Sequence, residues 1–232
     1  MSIERFIPGS GFNADTVRQH MARYEFAAAH AKGKCLLDIA CGAGYGSSML
    51  KKAGAQRVYG LDLSEEAVSY AREHYASQDL TFMVGDAEDL SCPEKVDVVV
   101  SFETIEHLNY PDHFLAGAVR CLSDSGLAII STPIRRKGSL EDKPLNPHHL
   151  REWNKAEFTD MLGEYFRDVT LFGQYSYEKR WYPYSRRIRM LLTRALTPAL
   201  YEDISAFPVR AQDPSKPRSR FVMDFGVAVC RK

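Results

Sequence analysis

The sequence lacks the features that mark membrane, secreted and zinc-binding proteins. No apolar run is long enough to span a bilayer, and the first residues do not form the basic-then-apolar pattern of a secretory signal. The five cysteines contain no Cys-x-x-Cys pair, and their odd number argues against a disulfide framework. Internal repeats are also absent. We therefore expect residues 1–232 to form one cytoplasmic domain.

The net charge is zero, but the charges are unevenly distributed. Residues 174–220 contain ten lysines and arginines against four acidic residues, whereas residues 1–173 contain 18 against 25. The acidity of residues 1–173 argues against a broad surface for nucleic acid, so we expect no nucleic-acid partner. Only the basic segment could bind a phosphate backbone.

The basic segment is also rich in aromatic residues. Arginine and tyrosine clusters bind phosphate and stack on rings. We predict that residues 174–220 are an insertion that forms a lid or wall over an anionic small molecule. Within it, residues 186–197 have the pattern of a basic amphipathic helix, which would pack on the domain's own core, on a second subunit of a homodimer or on a membrane surface. The residues concerned are Tyr175, Tyr177, Lys179, Arg180, Trp181, Tyr182, Tyr184, Arg186, Arg187 and Arg189.

Predicted strands and helices alternate from residue 34 onward, after an N-terminal helical cap segment at residues 1–33. This alternation predicts a Rossmann-like α/β fold with a seven-stranded, mostly parallel sheet and helices on both faces. The last strand follows a long insertion, which suggests that it runs antiparallel. The strands are predicted at Lys34–Ala40, Arg57–Leu63, Leu80–Gly85, Val96–Phe102, Gly126–Thr132, Val169–Phe172 and Phe221–Cys230.

A glycine-rich turn follows the first predicted strand. The chain reads Asp38-Ile-Ala-Cys-Gly42-Ala-Gly44, and a second strand ends at Asp62. Such a turn lets a nucleotide approach the backbone, and an acid at the second strand tip can accept both hydroxyls of a ribose. A dinucleotide fingerprint would place its third glycine at position 47, where the chain has Ser47.

The acid-x-small-x-Gly-x-Gly arrangement resembles motif I of class I methyltransferases that use S-adenosylmethionine (SAM). Ala40 replaces a glycine of the general motif, and a small residue should be tolerated there. The resemblance implies that SAM is the cofactor and that Asp86 and the Ala87 N–H bind its adenine. The implied SAM-binding residues are Asp38, Ala40, Gly42, Gly44, Tyr45, Asp62, Leu63, Asp86, Ala87 and Phe102.

A second motif, Glu103-x-x-Glu106-His107, follows the fourth predicted strand. If this segment is helical, Glu103 shares a face with both of the other residues. His107 could act as a general base, or carboxylates and imidazole could bind Mg²⁺, Mn²⁺ or Fe²⁺. A purely structural role is the third interpretation. His149 lies in a segment, 146–153, that can fold over the same pocket.

Residues 4–173 resemble methyltransferases associated with sugar and cell-envelope biosynthesis. The Glu-x-x-Glu-His motif is also similar to that of metal-dependent small-RNA 2′-O-methyltransferases, and ubiquinone-pathway O-methyltransferases share part of it. The small-RNA resemblance implies Mg²⁺ or Mn²⁺ as a further cofactor, with Glu103, Glu106, His107 and His149 as its ligands.

We therefore expect a SAM-dependent methyltransferase that methylates an oxygen of a small polar or anionic acceptor, such as a sugar, nucleotide-sugar or glycan. The predicted catalytic residues are His107, Glu103 and His149, and we favour His107 as a metal-free base. The alternatives are a metal-dependent ribose 2′-O-methyltransferase acting on RNA, a methyltransferase of a quinone or polyketide hydroxyl, and a SAM-binding module without enzymatic activity.

Overall fold

The computed structural model describes residues 14–135, 144, 146–177, 210–211 and 221–232, and these residues form one mixed sheet of eight strands. In chain order, the strands are β1 (Cys35–Ile39), β2 (Arg57–Asp62), β3 (Leu80–Val84), β4 (Val96–Phe102), β5 (Leu122–Pro133), β6 (Asp168–Tyr177), β7 (Arg210–Ala211) and β8 (Phe221–Arg231).

The order across the sheet is β3-β2-β1-β4-β5-β8-β6-β7. The first five strands pair in parallel, whereas β8 runs antiparallel to both of its neighbours, β5 and β6. Seven long strands with an antiparallel β8 confirm the predicted Rossmann-like fold, and the two-residue β7 is added at one edge.

Five α-helices and one 3-10 turn connect the strands within the described residues. Ser64 begins one helix because its side chain accepts a hydrogen bond from the Ala67 N–H, and Asn154 begins another through a reciprocal capping box with Glu157. The helices are α1 (Ala14–Ala28), α2 (Tyr45–Lys52), α3 (Glu65–Tyr75), α4 (Pro111–Cys121) and α5 (Lys155–Gly163), and the 3-10 turn is Ile105–His107.

The helices cover both faces of the sheet. Phe114 of α4 and Phe158 of α5 are fully buried in one apolar cluster, while α1, α2 and α3 contribute to a second cluster on the other face. Successive strand residues point to opposite faces, so Leu36 and Leu37 enter different clusters. Both faces are therefore apolar, as expected for parallel strands enclosed by helices.

The strand order reverses beside β1, because the chain moves outward from β1 to β3 and then returns to β4 on the other side. In sheets of this type the connections leave a crevice at the carboxyl ends of the strands, and ligands bind there. The loops after β1, β2, β3, β4 and β5 all lie at this edge.

The cysteines differ from the expectation that they would not pair. Cys92, in the loop between β3 and β4, forms a disulfide with Cys121 at the end of α4, with a Cα–Cα distance of 5.7 Å. Cys35, Cys41 and Cys230 are free. The odd count could not reveal this pair, because 29 residues separate its members and only the packing of α4 brings them together.

Parts of two predicted segments lie outside the described residues. These are residues 1–13 of the N-terminal cap, and residues 178–209 and 212–220 of the basic insertion, including the predicted helix at 186–197. Among the helices of the described residues, none is both long and apolar enough to cross a membrane.

Candidate active site

Asp38 lies at the end of β1 and is completely buried. Ser47 Oγ donates a hydrogen bond to its carboxylate at 2.6 Å, and Tyr24 OH donates at 3.2 Å. Burial raises the pKa of Asp38 to about 7, although both hydrogen bonds favour the charged form. In this structure, Asp38 therefore ties β1, α2 and α1 together beneath the glycine-rich turn.

The turn between β1 and α2 contains three residues in the left-handed region. Ala40, Gly42 and Gly44 have φ angles of 58°, 54° and 82°. A Cβ on Gly44 would lie 2.6 Å from Ala71, so packing requires glycine there, whereas a Cβ on Gly42 would meet nothing within 4 Å. The surface above Gly42 is therefore open to a ligand. This conformation is strained for Ala40 but not for a glycine. The strain explains why the general motif has a glycine at this position.

Asp62 ends β2 and holds the same turn. One carboxylate oxygen accepts a hydrogen bond from the Gly42 N–H at 2.8 Å, and the other accepts from the Ser64 N–H at 2.9 Å. Beside it, Leu63 is 69% exposed and Val84, opposite Asp62 on β3, is 48% exposed. A carboxylate with spare lone pairs thus lies next to exposed apolar side chains, a combination that suits a ribose joined to a flat base.

The other predicted SAM-binding residues surround this turn. Asp86 is exposed after β3 and accepts a hydrogen bond from the Glu88 N–H at 2.8 Å, while Ala87 is buried. Asp86 thus shapes its own turn in this structure. Tyr45 and Phe102 both pack edge-on against the ring of Tyr24, at centroid distances of 5.5 and 5.0 Å. These aromatic rings form the inner wall of the crevice between β1 and β4.

Arg23 is a buried cation to which the sequence reasoning assigned no role. Its guanidinium donates a hydrogen bond to Gln174 on β6 at 2.8 Å, lies 3.9 Å from the Glu103 carboxylate and lies 4.6 Å from the ring centre of Phe225 on β8. No local sequence pattern indicates this position, because the partners of Arg23 lie far away along the chain.

Glu103 follows β4 and has a φ angle of 53°, a strained conformation for a residue with a long side chain. Ser131 Oγ donates to its carboxylate at 2.6 Å, and the Glu103 N–H donates to the Ser131 carbonyl at 3.2 Å. The segment is not helical at Glu103, because the 3-10 turn begins at Ile105, so the condition for a helical face shared with Glu106 and His107 is not met. The left-handed backbone at Glu103 instead separates it from that turn.

Glu106, His107 and His149 do come together. One carboxylate oxygen or ring nitrogen from each lies within 4.8 Å of the others. Glu106 is fully buried, and burial, with a smaller contribution from the nearby Glu103 carboxylate, raises its pKa well above the usual value. Thr132 Oγ1 donates to one of its oxygens at 3.1 Å, but the other oxygen, Oε1, has no partner within the described residues. Glu103, the fourth predicted ligand, lies outside this group.

Residues 146–153 fold against the turn that follows β4, as predicted. The Leu150 N–H donates to the Glu106 carbonyl at 2.9 Å, and the His148 carbonyl accepts a hydrogen bond from His107 Nδ1 at 2.9 Å. Farther along, the Arg135 N–H donates to the Trp153 carbonyl at 2.8 Å. These contacts hold His149 beside His107, with 4.9 Å between the ring centres.

The site therefore has two sides. The tips of β1, β2 and β3 present an open turn, a carboxylate and exposed apolar groups, whereas the tips of β4 and β5 present carboxylates and imidazoles held in fixed orientations. The first set suits an adenosyl-type ligand, and the second suits hydroxyl binding and proton transfer.

Comparisons with known proteins point to methyltransferases. Residues 37–130 match the family model described as a methyltransferase domain. A Mycolicibacterium smegmatis protein named "Probable S-adenosylmethionine-dependent methyltransferase" is 38% identical over 161 residues, 68% of this chain and 62% of that protein. The ubiquinone biosynthesis O-methyltransferase of Bradyrhizobium diazoefficiens is 30% identical over 149 residues, 60% of this chain and 58% of that protein. The chain thus spans about three fifths of the length of these relatives.

A solved structure has the same overall fold. A SAM-dependent methyltransferase from Archaeoglobus fulgidus superposes with a TM-score of 0.60 at 17% identity, covering 95% of each chain.

Proposed function

Residues 37–130 of this chain form a methyltransferase domain of the class I, SAM-dependent type, and from this premise we propose that the protein transfers the methyl group of SAM to an oxygen of a small polar acceptor. One observation carries the proposal. The open turn at Gly42, held by Asp62, faces the same edge of the sheet as Glu103, His107 and His149. An adenosyl site and a proton-accepting site thus share one crevice.

The residues on the first side fit SAM. Asp62 would accept the ribose hydroxyls, Leu63 and Val84 would cover the adenine, and the exposed backbone at Gly42 would approach the methionine part. Arg23 would attract the methionine carboxylate, since it is a buried cation beside the crevice. When bound, SAM supplies a methyl group on a positively charged sulfur, which is already activated for displacement.

On the second side, His107 is oriented to accept a proton from the acceptor. Its Nδ1 lies 2.9 Å from the His148 carbonyl, which can only accept, so Nδ1 carries the hydrogen and Nε2 carries the lone pair. Glu103 would accept a hydrogen bond from an acceptor hydroxyl through its second oxygen while Ser131 holds the first. Alignment of the acceptor by these fixed groups would supply much of the rate.

We expect the acceptor to be a hydroxyl compound, such as a sugar, a nucleotide-sugar or a phenol. The Glu103 carboxylate and the His107 imidazole suit hydroxyl binding, and a relative named an O-methyltransferase supports oxygen as the methylated atom. The prediction that residues 174–220 bind an anionic part of this acceptor stays a prediction.

A metal-assisted version is the second candidate, and the orphaned oxygen of Glu106 favours it. A buried carboxylate oxygen that has no partner in the described part of the chain forms, together with His107 and His149, a donor set that suits Mn²⁺ or Mg²⁺. A metal held there by these three residues would lower the pKa of an acceptor hydroxyl, and Glu103 would remain outside its coordination shell.

The test is methyl transfer from labelled SAM to a panel of nucleotide-sugars, simple glycosides and catechols, with EDTA or with added Mn²⁺. We expect His107→Gln to lower kcat about 100-fold with unchanged SAM affinity. His74→Gln is the matched control, because His74 also lies 2.8 Å from a carbonyl through Nδ1 but is exposed on α3. Absence of SAM binding by calorimetry would refute the proposal, and turnover only with Mn²⁺ would select the metal-assisted version.

A further inference from the structure

His149 has one hydrogen-bonding partner at each ring nitrogen. Its Nδ1 lies 2.7 Å from a Glu152 carboxylate oxygen, and its Nε2 lies 3.0 Å from the Asn146 side-chain nitrogen. The side chains of His149 and Glu152 are only 9% and 13% exposed. No role was assigned to Glu152 from the sequence, and the proposed function does not use it.

The orientation of Asn146 follows from a third hydrogen bond. Its side-chain oxygen accepts from the His148 N–H at 3.0 Å, so its NH₂ group must face His149. An NH₂ group can only donate, so Nε2 of His149 must present a lone pair. Nδ1 then carries the hydrogen and donates it to Glu152. The two partners of His149 therefore agree on one tautomer, with the hydrogen on Nδ1.

We propose that Glu152 is a positioning residue that fixes His149 in the Nδ1–H tautomer, with the Nε2 lone pair available on the acceptor side of the site. This inference rests on the proposed function, and both of its versions need that lone pair. As a base, His149 would receive a proton at Nε2, and as a metal ligand it would coordinate through the same atom. In the structure this lone pair accepts from the Asn146 NH₂ group at 3.0 Å, and an acceptor hydroxyl or a metal would have to replace that donor.

The position of Glu152 fits this role because the pair is shielded from water. A carboxylate that accepts from the far nitrogen of an imidazole orients the ring and fixes its tautomer. Exposed pairs of this type are screened and weakly oriented, but this one is largely buried. His107 has an equivalent arrangement in which the His148 carbonyl replaces the carboxylate. The two imidazoles are thus held by groups of different charge.

The tautomer can be measured directly by two-bond ¹H–¹⁵N NMR correlation on the whole chain with ¹⁵N-labelled histidine. We expect wild-type His149 to show hydrogen on Nδ1 and none on Nε2. Glu152→Ala should let the Nε2–H form appear beside the Nδ1–H form, because only the Asn146 NH₂ group then opposes it, whereas Glu152→Gln should keep the Nδ1–H form because its amide oxygen still accepts. His74 serves as an internal reference in the same spectrum, since its Nδ1 faces a carbonyl.

Kinetics separates positioning from a structural role. With any acceptor from the panel above, Glu152→Ala should lower kcat about 10- to 100-fold at unchanged SAM affinity, and Glu152→Gln should recover most of the loss. Glu73→Ala, on the exposed surface of α3, is the matched control. Hydrogen on Nε2 in the wild type, or an unchanged tautomer in Glu152→Ala, would overturn the inference. Failure of SAM binding would instead refute the proposed function, while the tautomer of His149 could still be measured by NMR.

Discussion

The crevice has a proposed SAM side, at the tips of β1, β2 and β3, and a proposed acceptor side, at the tips of β4 and β5. The contacts that build the two sides join residues separated by different distances along the chain. On the SAM side, Asp38 and Ser47 are 9 residues apart, and Gly42 and Asp62 are 20 apart. On the acceptor side, Ser131 reaches back 28 residues to Glu103, and the His148 carbonyl accepts from a histidine 41 residues earlier. Arg23, which lies between the two sides, contacts Gln174 across 151 residues.

The difference teaches that the two sides depend on different parts of the fold. The SAM side is one strand-turn-helix unit with the tips of two further strands, β2 and β3, so its geometry follows mainly from local backbone requirements. The acceptor side exists only because β4 and β5 are neighbours and residues 146–153 return over them. Substitutions should therefore separate SAM binding from turnover according to the side on which they fall.

We expect the largest effect on stability at Gly46, where the SAM side packs against Tyr24 of α1. A Cβ at Gly46 would overlap the ring of Tyr24, which is held in place by Asp38 and Phe102. We expect Gly46→Ala to lower the free energy of unfolding by about 3 kcal/mol or more, measured by urea denaturation. Gly163→Ala is the matched control, because a Cβ there meets nothing within 4 Å and should not destabilise. Equal stability of the two variants would contradict the packing of α1 against the turn.

The next effect should be confined to SAM binding. Asp62→Ala removes the carboxylate that holds the Gly42 and Ser64 N–H groups, and it would also remove the ribose contact. Because hydrogen bonds to a charged group contribute about 1.5–3 kcal/mol, we expect the Kd for SAM to rise about 10- to 100-fold in calorimetry. Asp79→Ala, a half-exposed partner of Lys51, is the control and should bind normally. An unchanged Kd in Asp62→Ala would show that Asp62 does not contribute to SAM binding.

A third variant should affect the acceptor side alone. Thr132→Val keeps the shape of the side chain but removes the hydroxyl that donates to Oε2 of Glu106, whose other oxygen already has no partner among the described residues. We expect a loss of about 1–3 kcal/mol in the free energy of unfolding and reduced turnover, with normal SAM affinity. Thr81→Val, exposed on β3, should change stability by less than about 0.5 kcal/mol. Weakened SAM binding in Thr132→Val would show that the two sides are coupled.

The smallest effect should have the opposite sign. Ala40 has a φ angle of 58°, so Ala40→Gly should relieve strain and raise the free energy of unfolding by about 0.5–1 kcal/mol, measured by urea denaturation. Ala53→Gly, where φ is −73°, should instead lower it by about the same amount. Destabilisation in both variants would show that the turn does not store strain at Ala40.

Much of the SAM side could be predicted from the sequence, because acid, small residue and glycine spacing encode a turn with a specific backbone path. Asp62 lies at the tip of the second strand, as predicted, but its hydrogen bond with the Gly42 N–H was not predicted. Asp38 was also identified, but only the structure shows that it is buried beneath the turn. The acceptor side was predicted less completely. The Glu-x-x-Glu-His spacing suggested a shared helical face, and the left-handed backbone at Glu103 prevents it.

The alternation of strands and helices, the antiparallel last strand and the turn that would bind an adenosyl group could all be predicted from the sequence. These depend on hydrophobic periodicity and on glycine positions, which act over a few residues. The hydrogen bonds from Ser131 to Glu103 and from His149 to Glu152 depend on the tertiary structure. The burial of Arg23 between the two sides depends on it as well. Those contacts exist because burial of both sheet faces fixes which strands are neighbours, and no local pattern specifies that choice.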